Sequence, residues 1–199
     1  FLLAAAAILF LASCNNQGLK KTKSGLSYKI ISDGKNPVVK KGQFIKITFT
    51  QVLQDYTHKK KDSVLFSSED GMAAYVPIDT PVQANYSPVE IFHLLRKGDS
   101  AVVIQRGDSI EKKAGQQLPY YIRKKDRIML TMKVVDVFDN EDLVQKDRQQ
   151  ALYQFHAKET KEVSDFLNKN KIDAQKTEKG TFVKIDSPGD GPSVDSGKQ

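Results

Sequence analysis

The sequence predicts an α+β fold, in which an antiparallel sheet is crossed by one short helix and followed by a helical linker. Residues 26–31 and 44–52 alternate apolar and polar side chains with period two, as half-buried strands do. The segment Ser87-Pro88-Val89-Glu90 combines an N-cap, a first-turn proline and a capping-box acid, and so begins a helix. Residues 139–172 contain no Gly or Pro and space their apolar side chains helically, which indicates one long helix or two shorter ones between residues 139 and 175.

The beginning of the sequence predicts a lipid anchor. Residues 1–13 form an apolar run that is too short to span a bilayer but suits the core of a signal peptide. The run ends at Leu11-Ala12-Ser13-Cys14, which resembles the bacterial lipobox, and Cys14 is the only cysteine. The resemblance implies acyl chains on Cys14 that hold the protein to a lipid bilayer, followed by a polar tether over 14–24. An ordinary cleaved signal, with Cys14 incidental, is the alternative.

Residues 25–138 are predicted to form a single sheet domain. Besides the two strands above, residues 101–104 and 128–138 have strand patterns, and Gly, Pro and Asn separate the first segments. The last strand places alternate apolar residues on one face: Ile128, Leu130, Met132 and Val134. Within the helix, Ile91, Leu94 and Leu95 form an apolar stripe, and Gly98 stands where a C′ glycine is expected.

The end of the sequence repeats an earlier part of it. Residues 176–197 match residues 21–42 at 10 of 22 positions without a gap, and the matches include three glycines and a proline. Gly and Pro are the residues whose positions the backbone dictates, so we interpret the match as an internal duplication. Residues 176–199 are therefore expected to be the start of a second, truncated domain, and 186–199 are expected to be poorly ordered.

Composition and motifs exclude most kinds of chemistry. The formal net charge of +7 is interpreted as a solvated surface, with attraction to anionic lipid head groups as a weaker alternative. A nucleic-acid site needs basic residues interleaved with aromatics on one surface, whereas the densest basic run, residues 58–61, lies in a polar stretch between strand-like segments, so no nucleic-acid partner is expected. The three histidines have no metal-ligand spacing, and no phosphate loop, dinucleotide fingerprint or nucleophile elbow occurs. The sequence therefore predicts no metal, no cofactor and no acid–base catalytic residue. Rotation about an Xaa–Pro bond needs none of these, since no atom is transferred.

The opening segment resembles a known protein family, and the reaction of that family fits this chemistry. "SGLSYKIISDGKNPVVKKGQFIKITFTQVL", residues 24–53, resembles the start of FKBP-type peptidyl-prolyl isomerases, in which similar strands open a twisted antiparallel sheet. The short helix, "KGDSAVVI" and "IMLTMKVVDVF" follow in the family's order, so the resemblance covers residues 20–138 and restarts at 176. A lipobox followed by tandem FKBP-like units is typical of exported lipoproteins in Bacteroidetes-type bacteria.

The resemblance implies a substrate pocket made of apolar side chains. Matched position by position, the pocket falls on Phe49, Leu65, Phe66, Tyr75 and Leu130. The acidic residue of the family's pocket is replaced by Phe66, and this chain has no tryptophan to form the bottom of the pocket.

The resemblance also implies a tyrosine within a "D.AYG" motif, in which the dot stands for any residue, and residues 106–122 do not contain this motif. Tyr120 or Tyr121 is a candidate replacement from a different position in that segment.

Two functions follow from these observations. The first is an isomerase anchored in the bacterial cell envelope, facing the periplasm or the cell surface, that assists folding of proline-containing polypeptide clients. The alternative is a non-catalytic FKBP-like chaperone or assembly module with a degenerate pocket. The missing tryptophan and "D.AYG" motif favour the second. The first is favoured by the retained sheet and helix pattern and by Leu65-Phe66-Ser67-Ser68, which matches a phenylalanine–aspartate–serine–serine stretch of the family. The sequence does not fix the oligomeric state.

Overall fold

The computed structural model describes residues 18–55, 57–58, 61–69, 71–79, 83–187 and 189–191. The chain divides into two compact units, Phe1–Arg148 and Gln149–Gln199. The predicted signal peptide and Cys14 lie outside the described residues, as does most of the segment 186–199 that was expected to be poorly ordered.

Within its described part, the first unit contains a seven-stranded sheet whose neighbouring strands all pair antiparallel. The strands are β1 (Lys20–Lys21), β2 (Ser27–Ile31), β3 (Phe44–Gln54), β4 (Ser63–Ser67), β5 (Ala74–Pro77), β6 (Ser100–Arg106) and β7 (Arg127–Phe138). Their order across the sheet is β1-β2-β6-β7-β3-β4, and β5 also pairs with β3. The long strands β3 and β7 therefore form the centre on which the other elements are placed.

A 3-10 helix, Pro88–Leu94, lies between β5 and β6. Its start is as predicted: Ser87 Oγ accepts the Val89 N–H at 3.4 Å, and Glu90 Oε1 accepts the Ser87 N–H at 3.2 Å. The end differs from the prediction, because Leu95 is the cap and Gly98, with φ +89°, serves a later turn. This helix therefore ends before the residue predicted to stop it, and its type is 3-10.

The core lies on one face of the sheet, beneath the 3-10 helix. Alternate residues of the central strands are buried there with the apolar side of the helix: Ile45, Ile47, Leu130, Met132, Val134, Ala101, Val103, Ile91, Phe92 and Leu95. The predicted apolar faces of β3 and β7 are thereby confirmed. A sheet with its short helix packed on one face confirms the α+β class.

A short helical turn follows β6. It consists of α1 (Gly107–Ser109) and a π-helical stretch, Ile110–Ala114, which ends at Gly115 in the left-handed region. After β7 comes α2 (Glu141–Lys169), a single continuous helix where the sequence had left open one helix or two. Val144 in its first turns is buried, so packing fixes the start of this helix.

The second unit contains a small hairpin formed by β8 (Gln175–Lys176) and β9 (Phe182–Val183). Its register is that of the first hairpin shifted by 155 residues: Gln175 pairs with Val183 as Lys20 pairs with Tyr28.

The turn of this hairpin is repeated too. The Thr177 N–H donates to the Thr181 carbonyl at 2.8 Å, as the Thr22 N–H donates to that of Leu26 at 3.0 Å. The repeated glycines, Gly25 and Gly180, both have positive φ, at 86° and 89°. Residues 20–28 and 175–183 therefore share their strand pairing, their turn hydrogen bond and the positive φ of their glycine.

Candidate functional site

Two phenylalanines from neighbouring strands meet on the core face of the sheet. Phe49 follows Ile45 and Ile47 at alternate positions of β3, so its side chain lies on the face that carries the core. On β4, Phe66 stands opposite Gln51 in the antiparallel register, and directly opposed residues share a face. Strand pairing thus brings together two of the residues that the resemblance implies.

The two rings form a stacked pair that is open to solvent on one side. Their centroids are 5.0 Å apart, and the ring planes differ by 22°. Phe49 packs against the core cluster, whereas 50% of Phe66 remains exposed. An aromatic surface that is anchored on one side and accessible on the other is a feature of sites that bind apolar groups.

A third predicted residue extends this surface inward. Leu130 on β7 is opposite Gln51, and Gln51 is in turn opposite Phe66 on β4. The three residues therefore form one row across β7, β3 and β4 on the core face. Leu130 is almost fully buried and Gln51 partly so. The row places one amide between two apolar side chains, next to the Phe49 ring. We call Phe49, Gln51, Phe66 and Leu130 the aromatic row.

Ser68, which directly follows β4, fixes the backbone of Phe49. Its side-chain oxygen accepts the Phe49 N–H at 2.7 Å, and its own N–H donates to the Phe49 carbonyl at 2.9 Å. Ser68 is only 3% exposed, so water does not compete for these bonds. Neither Ser68 nor Gln51 is among the predicted pocket residues. The match of residues 65–68 to the family's phenylalanine–aspartate–serine–serine stretch is the sequence signal for Ser68, whereas the position of Gln51 in the row follows only from the strand register.

Leu65 does not join the aromatic row in the register of the strands. The β3–β4 pairing shifts at this point, since Gln51 pairs with Phe66 and Val52 already pairs with Val64. Leu65 is the extra residue of a β-bulge, which leaves it without a Cα partner on β3. The bulge interrupts the regular alternation of side chains between the two faces of β4 next to Phe66. A sequence pattern assigns faces from that alternation, so it does not place Leu65 correctly.

The structure corrects the predicted position of Tyr75 in the pocket. It pairs with Lys46 on β3, whereas its neighbours Ala74 and Val76 pair with Ile47 and Ile45 of the core face. Side chains alternate between faces, so Tyr75 lies on the opposite side of the sheet from Phe49. The resemblance matched an aromatic residue of the right type, but the register of β5 removes it from the pocket.

On that opposite face, Tyr75 belongs to a polar cluster that we call the Asp147 cluster. The Tyr75 hydroxyl donates to Asp147 Oδ2 on α2, and Lys46 Nζ binds the same oxygen at 2.6 Å. The Arg148 guanidinium lies 5.1 Å from the centroid of the Tyr75 ring, a cation–π distance. All four residues belong to the first unit, where they join the start of α2 to β3 and β5.

The cluster shifts the pKa values of its members. Burial favours the neutral acid, but hydrogen bonds from Lys46 and Tyr75 outweigh it and lower the pKa of Asp147. Burial likewise opposes the charged amine of Lys46, yet its bonds to Asp147 and Tyr75 raise its pKa. Burial and the bond to Asp147 together raise the pKa of Tyr75. These shifts keep the cluster as a carboxylate, an ammonium and a neutral phenol, so it is a structural anchor.

The candidate loop tyrosines lie far out in solvent. Tyr120 is 87% exposed and Tyr121 49%, and their rings meet edge to face with centroids 5.3 Å apart. Nothing in the described structure joins either ring to the aromatic row.

Across the described ranges, His, Cys, Asp and Glu form no group of three or more that could hold a metal ion. Nor does this part of the chain contain a helix that is long and apolar enough to cross a membrane.

The proteins that this chain resembles have low sequence identity to it. The sequence matches no family model and no curated protein. The crystal structure of FkpA from Escherichia coli is 18% identical with a TM-score of 0.44, and the match covers 61% of this chain and 52% of that chain. A peptidyl-prolyl cis-trans isomerase from Pseudomonas syringae pv. tomato is 12% identical with a TM-score of 0.42, over 61% and 82%.

The chain thus spans about half the length of FkpA. Both TM-scores are below 0.5, so neither similarity defines a function for this chain.

Proposed function

We propose that this protein binds Xaa–Pro segments of polypeptides on the aromatic row and accelerates their cis–trans isomerisation. The observation that carries the proposal is the stacked pair of Phe49 and half-exposed Phe66, continued by Leu130 on the same face. A proline ring is apolar and flat enough to lie against such a surface. The neighbouring Gln51 carboxamide supplies a polar group for the peptide backbone.

Catalysis of this reaction needs differential binding and no acid or base. The amide barrier is about 18–20 kcal/mol because resonance favours a planar bond. A site that holds the proline ring and binds the twisted amide better than either planar form lowers that barrier. Shielding the carbonyl from water helps, since the planar, charge-separated form is the better solvated one. In the aromatic row, Phe49 and Leu130 provide the shielded surface. The side-chain amide N–H of Gln51 is a donor for the substrate carbonyl when that carbonyl is turned out of the amide plane.

A non-catalytic chaperone is the second candidate, and a specific observation favours it. Phe66 occupies the position where the resemblance implies an acidic residue, and its ring covers the Phe49 ring by stacking. The chain also contains no tryptophan to floor a proline pocket. A surface of this kind binds apolar segments of unfolded clients without selecting the twisted amide. The two candidates share one site, so the same variants test both.

Envelope anchoring is a further part of the proposal. It rests on the apolar run 1–13 and the single cysteine after it, Cys14. Acyl chains on Cys14 would keep the first unit near newly exported polypeptides, joined to the membrane through the tether.

The decisive experiment is a protease-coupled isomerisation assay of the full chain with a proline-containing peptide. We expect a rate above that of buffer, strongly reduced in Phe66→Ala. The matched control is Val64→Ala, which truncates a side chain on the same strand that is 65% exposed but pairs with Val52, outside the row. A folded chain with no rate above buffer that still suppresses aggregation, through Phe66, would select the chaperone. Equal activity in both variants would refute the site.

A further inference from the structure

Two tyrosines occupy the corner of a turn on the loop that precedes β7. The Ile122 N–H donates to the Pro119 carbonyl at 2.9 Å, and this bond makes Tyr120 and Tyr121 the two central residues of the turn. Tyr120 is almost wholly exposed and Tyr121 is half-exposed, whereas Ile122 is buried. The turn therefore holds two aromatic rings in solvent beside a buried residue that fixes it to the domain.

A second turn follows directly and presents two lysines. The Asp126 N–H donates to the Arg123 carbonyl at 3.0 Å, so Lys124 and Lys125 are its central residues. Arg123, Lys124 and Lys125 are all exposed. Within the described ranges, the one ion pair of these three cations joins Lys124 Nζ to Glu111 Oε2 at 3.5 Å, with a lysine side chain that is 73% exposed. A pair so exposed is weak, and the three cations remain in contact with solvent.

Buried hydrogen bonds brace residues 119–126, which we call the double turn. Asp126 is 1% exposed, and its carboxylate accepts the Arg123 N–H at 2.8 Å. The same carboxylate accepts the N–H and the hydroxyl of Thr57, at 3.0 and 2.7 Å. The exposed side chains of the double turn thus stand on a fixed backbone, so little backbone entropy is lost when a partner covers them.

Side-chain contacts connect the double turn to the predicted tether. Lys124 binds Glu111 on the π-helical stretch, and Lys113 of the same stretch donates from Nζ to the Ser24 carbonyl at 2.8 Å. Ser24 ends the tether, ten residues after Cys14, and ten residues reach at most about 35 Å. The double turn therefore lies near the point where the tether leaves the first unit.

We propose that the double turn docks on the surface of a bilayer that contains anionic lipids. Tyrosine suits the boundary between headgroups and acyl chains, because its ring is apolar and its hydroxyl stays hydrated there. Each cation close to an anionic bilayer strengthens binding roughly fivefold. A bilayer is the partner because the tether leads to one, and in this respect the proposal rests on the predicted lipid anchor at Cys14. Docking at a second point holds the first unit in one orientation on the membrane.

The test uses the full chain, produced in a bacterium, with Tyr120→Trp as a fluorescent reporter. The chain has no tryptophan of its own, so this indole is the only one, and tryptophan favours the same interface as tyrosine. Vesicles of phosphatidylglycerol with phosphatidylcholine are compared with phosphatidylcholine alone, and sedimentation measures the bound chain. We expect a blue shift of the emission, and quenching by brominated acyl chains, in the anionic vesicles alone. Tyr153→Trp is the matched reporter control, since Tyr153 is 77% exposed on α2, outside the double turn, and should show neither effect.

Charge variants are made in the Tyr120→Trp chain. Lys125→Gln should lower the equilibrium constant between docked and undocked chain roughly fivefold, the effect of one cation near an anionic surface. Lys133→Gln removes the same charge from an exposed position of β7, about 20 Å along the strand from its first residue, and should leave that constant unchanged.

The outcomes separate docking from the lipid anchor. Sedimentation with both kinds of vesicle, without a blue shift in the anionic ones, overturns docking and leaves the anchor. Sedimentation with anionic vesicles alone, accompanied by the blue shift, supports docking and counts against the anchor. A folded chain that sediments with neither refutes both.

Two further results overturn docking. Equal effects of Lys125→Gln and Lys133→Gln would show only general attraction between a basic protein and an anionic surface. A blue shift of Tyr120→Trp with a reduced, carboxymethylated polypeptide, but not with vesicles, would assign the double turn to client binding.

Discussion

The Asp147 cluster allows a quantitative prediction about what joins the start of α2 to the sheet. In Asp147→Asn, the side chain keeps its size and one acceptor oxygen but loses the charge that Lys46 Nζ binds at 2.6 Å. The Tyr75 hydroxyl loses a charged acceptor at the same time. The variant should therefore fold and be less stable, with little change in shape.

The magnitude follows from the partial burial of the pair. The side chains of Lys46 and Asp147 are 18% and 30% exposed. Fully exposed pairs contribute about 0–1 kcal/mol, and breaking a fully buried one costs about 3–5 kcal/mol. An intermediate pair whose acceptor is retained should cost about 1–2 kcal/mol. For a domain of this size, that lowers the Tm by about 3–6 °C.

The pH dependence has a definite sign. The pKa of Asp147 is lowered below 3.8, so its stabilisation is present above the pKa of the unfolded chain and is lost as the pH falls through the lower folded value. The pKa values of Lys46 and Tyr75 are raised above 10.5 and 10.0, so their contribution is complete below about pH 10 and is lost in stronger alkali. The difference between wild type and Asp147→Asn should be constant near neutrality and shrink below pH 3.8.

Urea unfolding followed by circular dichroism at neutral and acid pH measures this difference. Asp136→Asn is the matched control, because Lys97 binds Asp136 at the same 2.6 Å, but with side chains 52% and 38% exposed. It should cost no more than about 1 kcal/mol. Equal losses in the two variants, or a loss in Asp147→Asn that persists unchanged in acid, would refute the reasoning.

Three further variants test other parts of the chain. Ser68→Ala removes the buried acceptor of the Phe49 N–H and should cost about 1–3 kcal/mol in urea unfolding while reducing isomerisation; unchanged activity would show that Ser68 does not position Phe49. Gly107→Ala would place a Cβ 2.3 Å from the Arg123 carbonyl oxygen, so thermal unfolding should show a loss of about 1–3 kcal/mol or more, and wild-type stability would contradict that packing. Cys14→Ser should move the protein from the membrane to the soluble fraction on cell fractionation, and a variant that stays with the membrane would count against lipidation.

The sequence predicted those elements whose signals are local. Alternation along β3 and β7 gave their buried faces, because side chains of a strand alternate regardless of what it pairs with. The Ser87 capping box gave the start of the helix, since its bonds are made within one turn.

The site depended on register, which is not a local property. Tyr75 was assigned to the pocket as an aromatic residue of the expected type, but its pairing with Lys46 turns it to the other face. The bulge at Leu65 and the row through Gln51 also follow from how β4 and β7 meet β3. A shift of one residue exchanges the two faces, and sequence patterns do not specify it on short, mixed strands such as β4 and β5.

The central claim is that the aromatic row binds and isomerises the Xaa–Pro bond, and NMR exchange spectroscopy tests it most directly. A proline-containing peptide is mixed with a small amount of the full chain, and exchange between its cis and trans signals is measured. We predict exchange cross-peaks that depend on the chain, together with peptide-induced shifts of Phe49, Gln51 and Phe66. Peptide exchange no faster than in buffer, with shifts confined to residues elsewhere in the folded chain, would contradict the account.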